Sequence, residues 1–306
     1  MTAATRQLWI QLLLYPGHTL PTALAPVLVG VGLALHHGVF APLPALLGFL
    51  ASWFIHLGGV FMDNHELLRR HPAIREHPEL NAAVESGALP LKRLYAATLL
   101  CFFLAILPGP YLLAIGGLPV LLLGLIGCAA SFAYAGGPAY VRVGLVEPVF
   151  FAMFGIVAVA GIYYIQAAAH GQGATLPWAV WLVGWPVGAL VTGVSVIDDL
   201  RDRDWDAQKG WRTIAVRAGP RTSVRVLWGL LACAYLAIPL FVLVGLCSPW
   251  GLAAWLTLPW AVGVARTAAG GDPVALRPLT ARLALTAMVF GAILGAGIAL
   301  GSVGGG

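Results

Sequence analysis

The feature that most limits how this chain can fold is a repeated run of about 20 apolar residues, the length a helix needs to cross a bilayer. Nine such runs can be traced, at roughly 19–39, 41–61, 94–113, 116–134, 146–168, 176–197, 226–246, 249–267 and 281–301. In lipid the backbone must satisfy its own hydrogen bonds, so runs of this kind form helices. Composition agrees: 60% of the 306 residues are hydrophobic, 9% are charged, and mean hydropathy is +0.88. A soluble domain carries about 25% charged residues. This chain has too little polar surface for a water-soluble globule. That excludes a cytosolic enzyme, a secreted disulfide scaffold, a disordered chain and a fibre. The first run continues past any plausible cleavage site and reads as a spanning helix rather than a signal peptide. The expectation is an all-α, polytopic membrane protein with nine transmembrane helices, forming one domain over residues 1–306.

Charge placement fixes the orientation. The 29 charged residues (17 basic, 12 acidic) occupy five places: Arg6, Asp63–Arg93, Arg142–Glu147, Asp198–Arg225 and Arg266–Arg282. With nine crossings all five fall on one side, which the positive-inside rule makes cytoplasmic. The chain is therefore expected to be an integral, multi-pass membrane protein, of the inner (plasma) membrane if bacterial. The net charge of +5 forms no single basic stripe, so no nucleic acid is expected as a partner. Cys101, Cys128, Cys233 and Cys247 form no CxxC pair and read as small apolar residues.

Two long cytoplasmic connections follow the second and sixth runs, and each opens with acids. The first reads Asp63-Asn64-His65-Glu66 and continues through Arg69-Arg70 to Glu76. The second holds Asp198, Asp199, Asp202, Asp204 and Asp206, then Lys209-Gly210-Trp211-Arg212-Thr213. Asp198, Asp202 and Asp206 are spaced i, i+4, i+8; Asp199, Asp202 and Asp206 are spaced i, i+3, i+7. Either set stacks on one helix face. Like charges so close repel, and a divalent cation removes that penalty. Mg²⁺ prefers oxygen ligands and commonly binds one or two carboxylates plus substrate phosphates. The candidate metal ligands are Asp63, Glu66, Asp198, Asp199, Asp202 and Asp206. Arginines beside them suit phosphate oxygens, so the pattern points to a diphosphate on a lipid-like tail. The competing reading is a solvated acidic loop balanced by Arg201, Arg203 and Arg212.

At these residues the sequence resembles the UbiA superfamily of membrane prenyltransferases, most of all its 1,4-dihydroxy-2-naphthoate branch. Asp202-x-x-x-Asp206 followed by Gly210-Trp211-Arg212-Thr213-Ile214 carries the most specific match. Tyr134-Ala135-Gly136-Gly137-Pro138, Gly161-Ile162-Tyr163-Tyr164-Ile165-Gln166 and His18-Thr19-Leu20-Pro21 add to it. The first acidic motif departs from the family pattern: Met62 stands at the Asn position, Glu66 at the second Asp, and no acid at the third place, for which Glu76 is the candidate substitute. The resemblance implies a helical bundle around a central cavity. Asp63, Glu66, Asp202 and Asp206 would be the catalytic acids, holding Mg²⁺ and a prenyl diphosphate at the cytoplasmic mouth. The prenyl group would pass to an aromatic acceptor, with 1,4-dihydroxy-2-naphthoate of menaquinone synthesis implied by the branch.

Other polar residues carry two readings each. Arg142, Lys209 and Arg212 are candidate diphosphate ligands or ordinary cytoplasmic anchors. His56, two turns before Asp63, either lines an acceptor pocket or is a satisfied structural histidine. Thr192 and Ser195 read as helix-packing residues. His65, His71 and His77 have no cysteine or HExxH context for zinc. Two rival functions remain: cyclisation of a prenyl diphosphate without an acceptor, and a non-enzymatic lipid-binding or transport role.

Overall fold

The computed structural model describes residues 17–134, 139–172 and 176–301. Arg6, the Ala135–Pro138 part of the family-like motif and the Gly-rich end beyond Gly301 lie outside the described residues. Among the described residues every regular element is helical: α1 Thr19–His36, α2 Pro42–Arg70, α3 Pro78–Glu85, α4 Leu91–Ile106, α5 Gly109–Gly116, α6 Leu118–Phe132, α7 Val146–Phe150, α8 Ala158–Ala169, α9 Trp185–Lys209, α10 Ile214–Ala218, α11 Pro220–Leu243, α12 Leu258–Ala269, α13 Pro273–Leu276 and α14 Leu279–Leu300. A π-helical turn over Phe151–Val157 joins α7 to α8.

Among the described residues, seven helical stretches are long and apolar enough to cross a membrane. The two remaining expected runs are helical but shorter. Gly117, at φ +64°, and Pro119 delay the start of α6, which is 15 residues long. The eighth run is divided between a 3₁₀ segment, Pro249–Thr257, and the 12-residue α12. Among the described residues, seven of the nine expected runs therefore meet the length requirement as helical stretches.

Two helices outrun their apolar stretch, and this places the site. α2 continues to Arg70, carrying Asp63 and Glu66 beyond the expected membrane boundary. α9 continues through all the motif acids to Lys209, and Gly210 in the left-handed conformation stops it. α9 is the axis of the bundle: 83% of its spanning window is buried, against 22% for the Leu91–Gly116 stretch on the periphery. Its main neighbours are α11, α14 and the π turn. Glycines permit the closest approaches. A Cβ on Gly184 or Gly188 would collide with the backbone of Gly155, and one on Gly32 with the backbone of Gly295. Small residues serve membrane helices in this way because the drive to pack is close contact rather than exclusion of water. The outer faces remain apolar, with Leu99, Phe103, Leu125 and Leu236 exposed.

The short helix α3 matters for function. Leu80 and Ala83 pack with Leu57, Phe61, Leu68 and Leu94, which fastens α3 between α2 and α4. Asn81 Nδ2 donates to the Ile74 carbonyl at 2.9 Å, and Arg75 pairs with Glu85 at 2.7 Å. The loop between α2 and α3 is thus held at both ends, and Glu76 with it.

Candidate functional site

A cavity of about 920 Å³ runs into the bundle. Asp63, Glu76, Asp198, Asp199, Asp202 and Asp206 line one end, while leucine, isoleucine, glycine and phenylalanine side chains line the rest. The acids come from separate parts of the chain. Lys209 ties them together: its Nζ donates to Glu76 at 2.8 Å and to Asp206 at 2.9 Å, and lies 3.7 Å from the centre of the Trp211 ring. Asp63 shares the electrostatic field of Glu76, Asp202, Asp206 and Lys209.

The four candidate acids of α9 all reach the cavity but are held differently. Arg201 lies between Asp198 and Asp202, donating to Asp198 at 2.6 Å and from Nε to Asp202 at 2.9 Å. Thr280 Oγ1 donates to Asp198 at 2.8 Å. Asp206 accepts from Thr213 Oγ1 at 3.2 Å. Asp199 is 3% exposed, and its Oδ2 is buried with no hydrogen-bond partner. A buried carboxylate oxygen left bare is costly, and a hard cation would satisfy it. Oxygen donors alone suit Mg²⁺. Among the described residues no three metal-binding side chains converge into a preformed cage. That fits an ion that takes one or two carboxylates and completes its shell with phosphate oxygens and water.

Several candidates are placed elsewhere. Glu66 is turned away from the cavity: Arg69 grips it at 2.9 and 2.7 Å, Arg70 at 2.5 Å, and His65 at 3.2 Å. Three residues advance a helix by about 300°, so Glu66 sits some 60° off the Asp63 face, and arginines at i+3 and i+4 capture it. Glu76, from the clamped loop, occupies the cavity instead. Arg142 does not line the cavity either. It borders a separate small recess with Glu66, Arg70, His71, Lys209 and Trp211. Arg212 is exposed; its backbone N–H donates to the Val141 carbonyl at 3.0 Å, and its own carbonyl accepts from Arg217 Nε at 2.8 Å. It therefore acts as a loop tie. The Lys209 ammonium is committed to two carboxylates rather than to a ligand.

Residues not expected at the site include Arg277 and Thr280, which line the cavity from the start of α14 and the turn before it. Arg277 forms no ion pair with an acid among the described residues. No local spacing links it to the motifs 75 residues earlier, so only a signal of chain-distant proximity could have found it. His18 Nε2 stands 4.0 Å from Asp198. Burial, reinforced by Arg201, pushes His18 down to about 3, so the imidazole is neutral and this is no ion pair. Burial also holds the Tyr134 phenol well above its usual range, helped by Asp63, Asp199 and Asp206. Tyr134 therefore remains a hydrogen-bond donor beside the acids.

Residues 23–286 match the model of the UbiA prenyltransferase family. The chain belongs to the UbiA prenyltransferase family. It is 30% identical to the 1,4-dihydroxy-2-naphthoate octaprenyltransferase of Escherichia coli, over 92% of each chain. It is likewise 30% identical to the enzyme of that name from Mycobacterium tuberculosis, over 93% of this chain and 95% of that one. Among solved structures it resembles an apo UbiA homologue from Aeropyrum pernix, with a TM-score of 0.64 at 20% identity, covering 90% of this chain and 96% of that one. A UbiA homologue from Archaeoglobus fulgidus bound to DMAPP and Mg²⁺ gives 0.58 at 16% identity, over 93% and 98%. As a UbiA-family protein the chain is a transferase of prenyl groups. Its helices make it an integral, multi-pass membrane protein.

Proposed function

We propose that this protein, acting as one domain over its whole length, transfers a polyprenyl group from its diphosphate to 1,4-dihydroxy-2-naphthoate. The observation that carries the reading is a charged cavity mouth, built from both acidic motifs, above an apolar interior. The named relatives supply the acceptor and the octaprenyl length. Asp63, Glu76, Asp199, Asp202 and Asp206 are the residues to hold Mg²⁺; Glu66, held by Arg69 and Arg70, and Asp198, held by Arg201 and Thr280, leave the set. A bound Mg²⁺ supplies charge neutralisation for the departing diphosphate. Arg277, which lines the mouth and pairs with no acid among the described residues, is the guanidinium available to the diphosphate oxygens, while Arg201 holds Asp198 and Asp202 in place. The allylic C–O bond breaks, and its electron pair leaves with the diphosphate. A ring carbon of the acceptor provides the pair for the new C–C bond, and the carboxylate it bears leaves as CO₂, its bonding pair returning to the ring and restoring aromaticity. The apolar interior excludes water, which would otherwise capture the cation.

Membranes bearing the expressed protein, supplied with octaprenyl diphosphate, the naphthoate and Mg²⁺, are expected to yield the prenylated dihydroxynaphthalene by mass detection, with its quinone formed only by later oxidation in air. Excess EDTA is expected to abolish the product. Full turnover in EDTA would remove the metal role, and a hydrocarbon formed from the diphosphate alone would make the protein a cyclase.

The cavity mouth faces the cytoplasm in this reading. Lys209 meets Glu76, Ile214 N meets Glu147, and Thr280 meets Asp198, so four charged regions gather at one end. In a cysteine-free background, cysteines at exposed positions 170 and 208 are expected to label from opposite sides of the membrane. Labelling from the same side would overturn the topology.

A further inference from the structure

Below the acids the cavity wall changes character: apolar side chains dominate, and His56 is set among them with the small hydroxyls of Ser52, Ser131 and Ser195. His56 precedes Asp63 by seven residues on α2. Seven residues make almost two full turns, so His56 shares the Asp63 face roughly 10 Å deeper. It lines the cavity, with its ring 5.3 Å from Phe154 at 63° and 6.4 Å from His18. Phe154 stands on the π turn, a distortion that recurs at functional sites.

The hydrogen-bond network assigns the tautomer. Thr22 Oγ1 donates to the His18 carbonyl at 2.7 Å, which uses its one proton. The same oxygen, its proton spent, lies 3.4 Å from His56 Nδ1, and the Thr19 carbonyl also takes up an imidazole N–H; with the proton on Nδ1, Nε2 is the accepting nitrogen. The Ser131 hydroxyl is spent, its Oγ donating to the Ile55 carbonyl at 2.6 Å. His56 thus offers an acceptor of fixed orientation against an aromatic face. Its depth below the metal end is comparable with the length of a fused two-ring aromatic.

Resting on the prenyl-transfer reading, we propose that His56 is a specificity-determining residue that holds the aromatic substrate, its Nε2 accepting a hydrogen bond from a ring hydroxyl. Thr22 positions the imidazole. The hydrogen bond leaves electron density on the hydroxyl oxygen and aligns the ring carbon with the prenyl group descending from the diphosphate site.

The experiment compares the dihydroxynaphthoate with its mono-methyl ethers in wild type, His56→Phe and His56→Gln, with Mg²⁺-dependent binding of radiolabelled prenyl diphosphate as the check on folding. Leaving a buried acceptor unmatched is costly, so wild type is expected to prefer the free hydroxyl at one ring position by about 10- to 100-fold in kcat/KM. His56→Phe is expected to shrink that preference to about threefold or less while diphosphate binding stays within about twofold. His56→Gln, whose Oε1 accepts, is expected to keep part of it. A histidine that merely packs would lower activity toward hydroxyl and ether alike. Retention of the full preference by His56→Phe overturns the assignment, as does equal use of hydroxyl and ether by wild type. If wild type prenylates no aromatic acceptor, the prenyl-transfer reading fails, and this assignment falls with it.

Discussion

Asp206→Ala is expected to lower prenyl transfer about 10²–10³-fold, equivalent to about 2.7–4 kcal/mol, the cost of removing one group that stabilises charge as it builds on a leaving oxygen. Asp206 is 3% exposed at the cavity mouth and accepts from Lys209 and Thr213. Its carboxylate sits in a fixed, poorly hydrated position where electrostatic effects are large. Asp202→Ala should fall in the same range, because it removes a second carboxylate that lines the same cavity mouth. The first acidic region should separate sharply. Asp63→Ala and Glu76→Ala remove groups that line the cavity, and both are expected to match the Asp202 loss. Glu66→Ala removes a carboxylate already neutralised by two arginines, and its rate is expected to stay within about threefold, as for a peripheral ion pair. Single-turnover rates in membranes of equal protein content decide the order. Near-normal rates for the Asp202 and Asp206 variants would place the diphosphate elsewhere. A Glu66 loss equal to that of Asp63 would return Glu66 to the metal set.

Lys209→Met is expected to be the most destabilising single change near the site. The Lys209 side chain is 2% exposed, with Glu76 at 8% and Asp206 at 4%. Removing one member of a buried ion cluster strands the others, at a cost of about 3–5 kcal/mol. The loss should appear as a lower temperature of irreversible inactivation in detergent. A second change, Glu76→Gln, should recover part of it by removing one stranded charge, so the two effects should not add. Additive losses would mean that the two groups do not act through each other. The Lys209→Met protein should also lose activity out of proportion to its stability, because Lys209 holds the loop acid against the motif of α9.

Much of this architecture was legible in the sequence. Apolar runs of about 20 residues specify helices because the bilayer leaves the backbone no other partner. The charge pattern put five regions on a common side, of which the four within the described residues gather at one end, and the i, i+4, i+8 rhythm from Asp198 to Asp206 put acids on one face of one helix. All of these are relations within a single helix or between a helix and the membrane, and periodicity encodes them directly. The lengths of α6 and α12 were less legible, because Gly117 and the 3₁₀ segment from Pro249 shorten regular helix inside an unbroken apolar run.

Only the tertiary structure decided which charges meet. Glu66 and Glu76 are both acids of the same connection, and the spacing from Asp63 favoured Glu66. Arg69 and Arg70 take Glu66 out of the cavity, while the packing of α3 on α2 and α4 brings Glu76 in to Lys209, 133 residues away. Arg142 and Arg212 have the right chemistry for a diphosphate, yet the fold sets them in a side recess and a loop tie. Arg277 belongs to no motif and still reaches the mouth, because α14 packs along α1 and α9. The reason is physical. A helix repeats every 3.6 residues, so sequence reports the faces of each helix, whereas the convergence of distant side chains depends on how whole helices cross, which glycine contacts and buried ion pairs determine together.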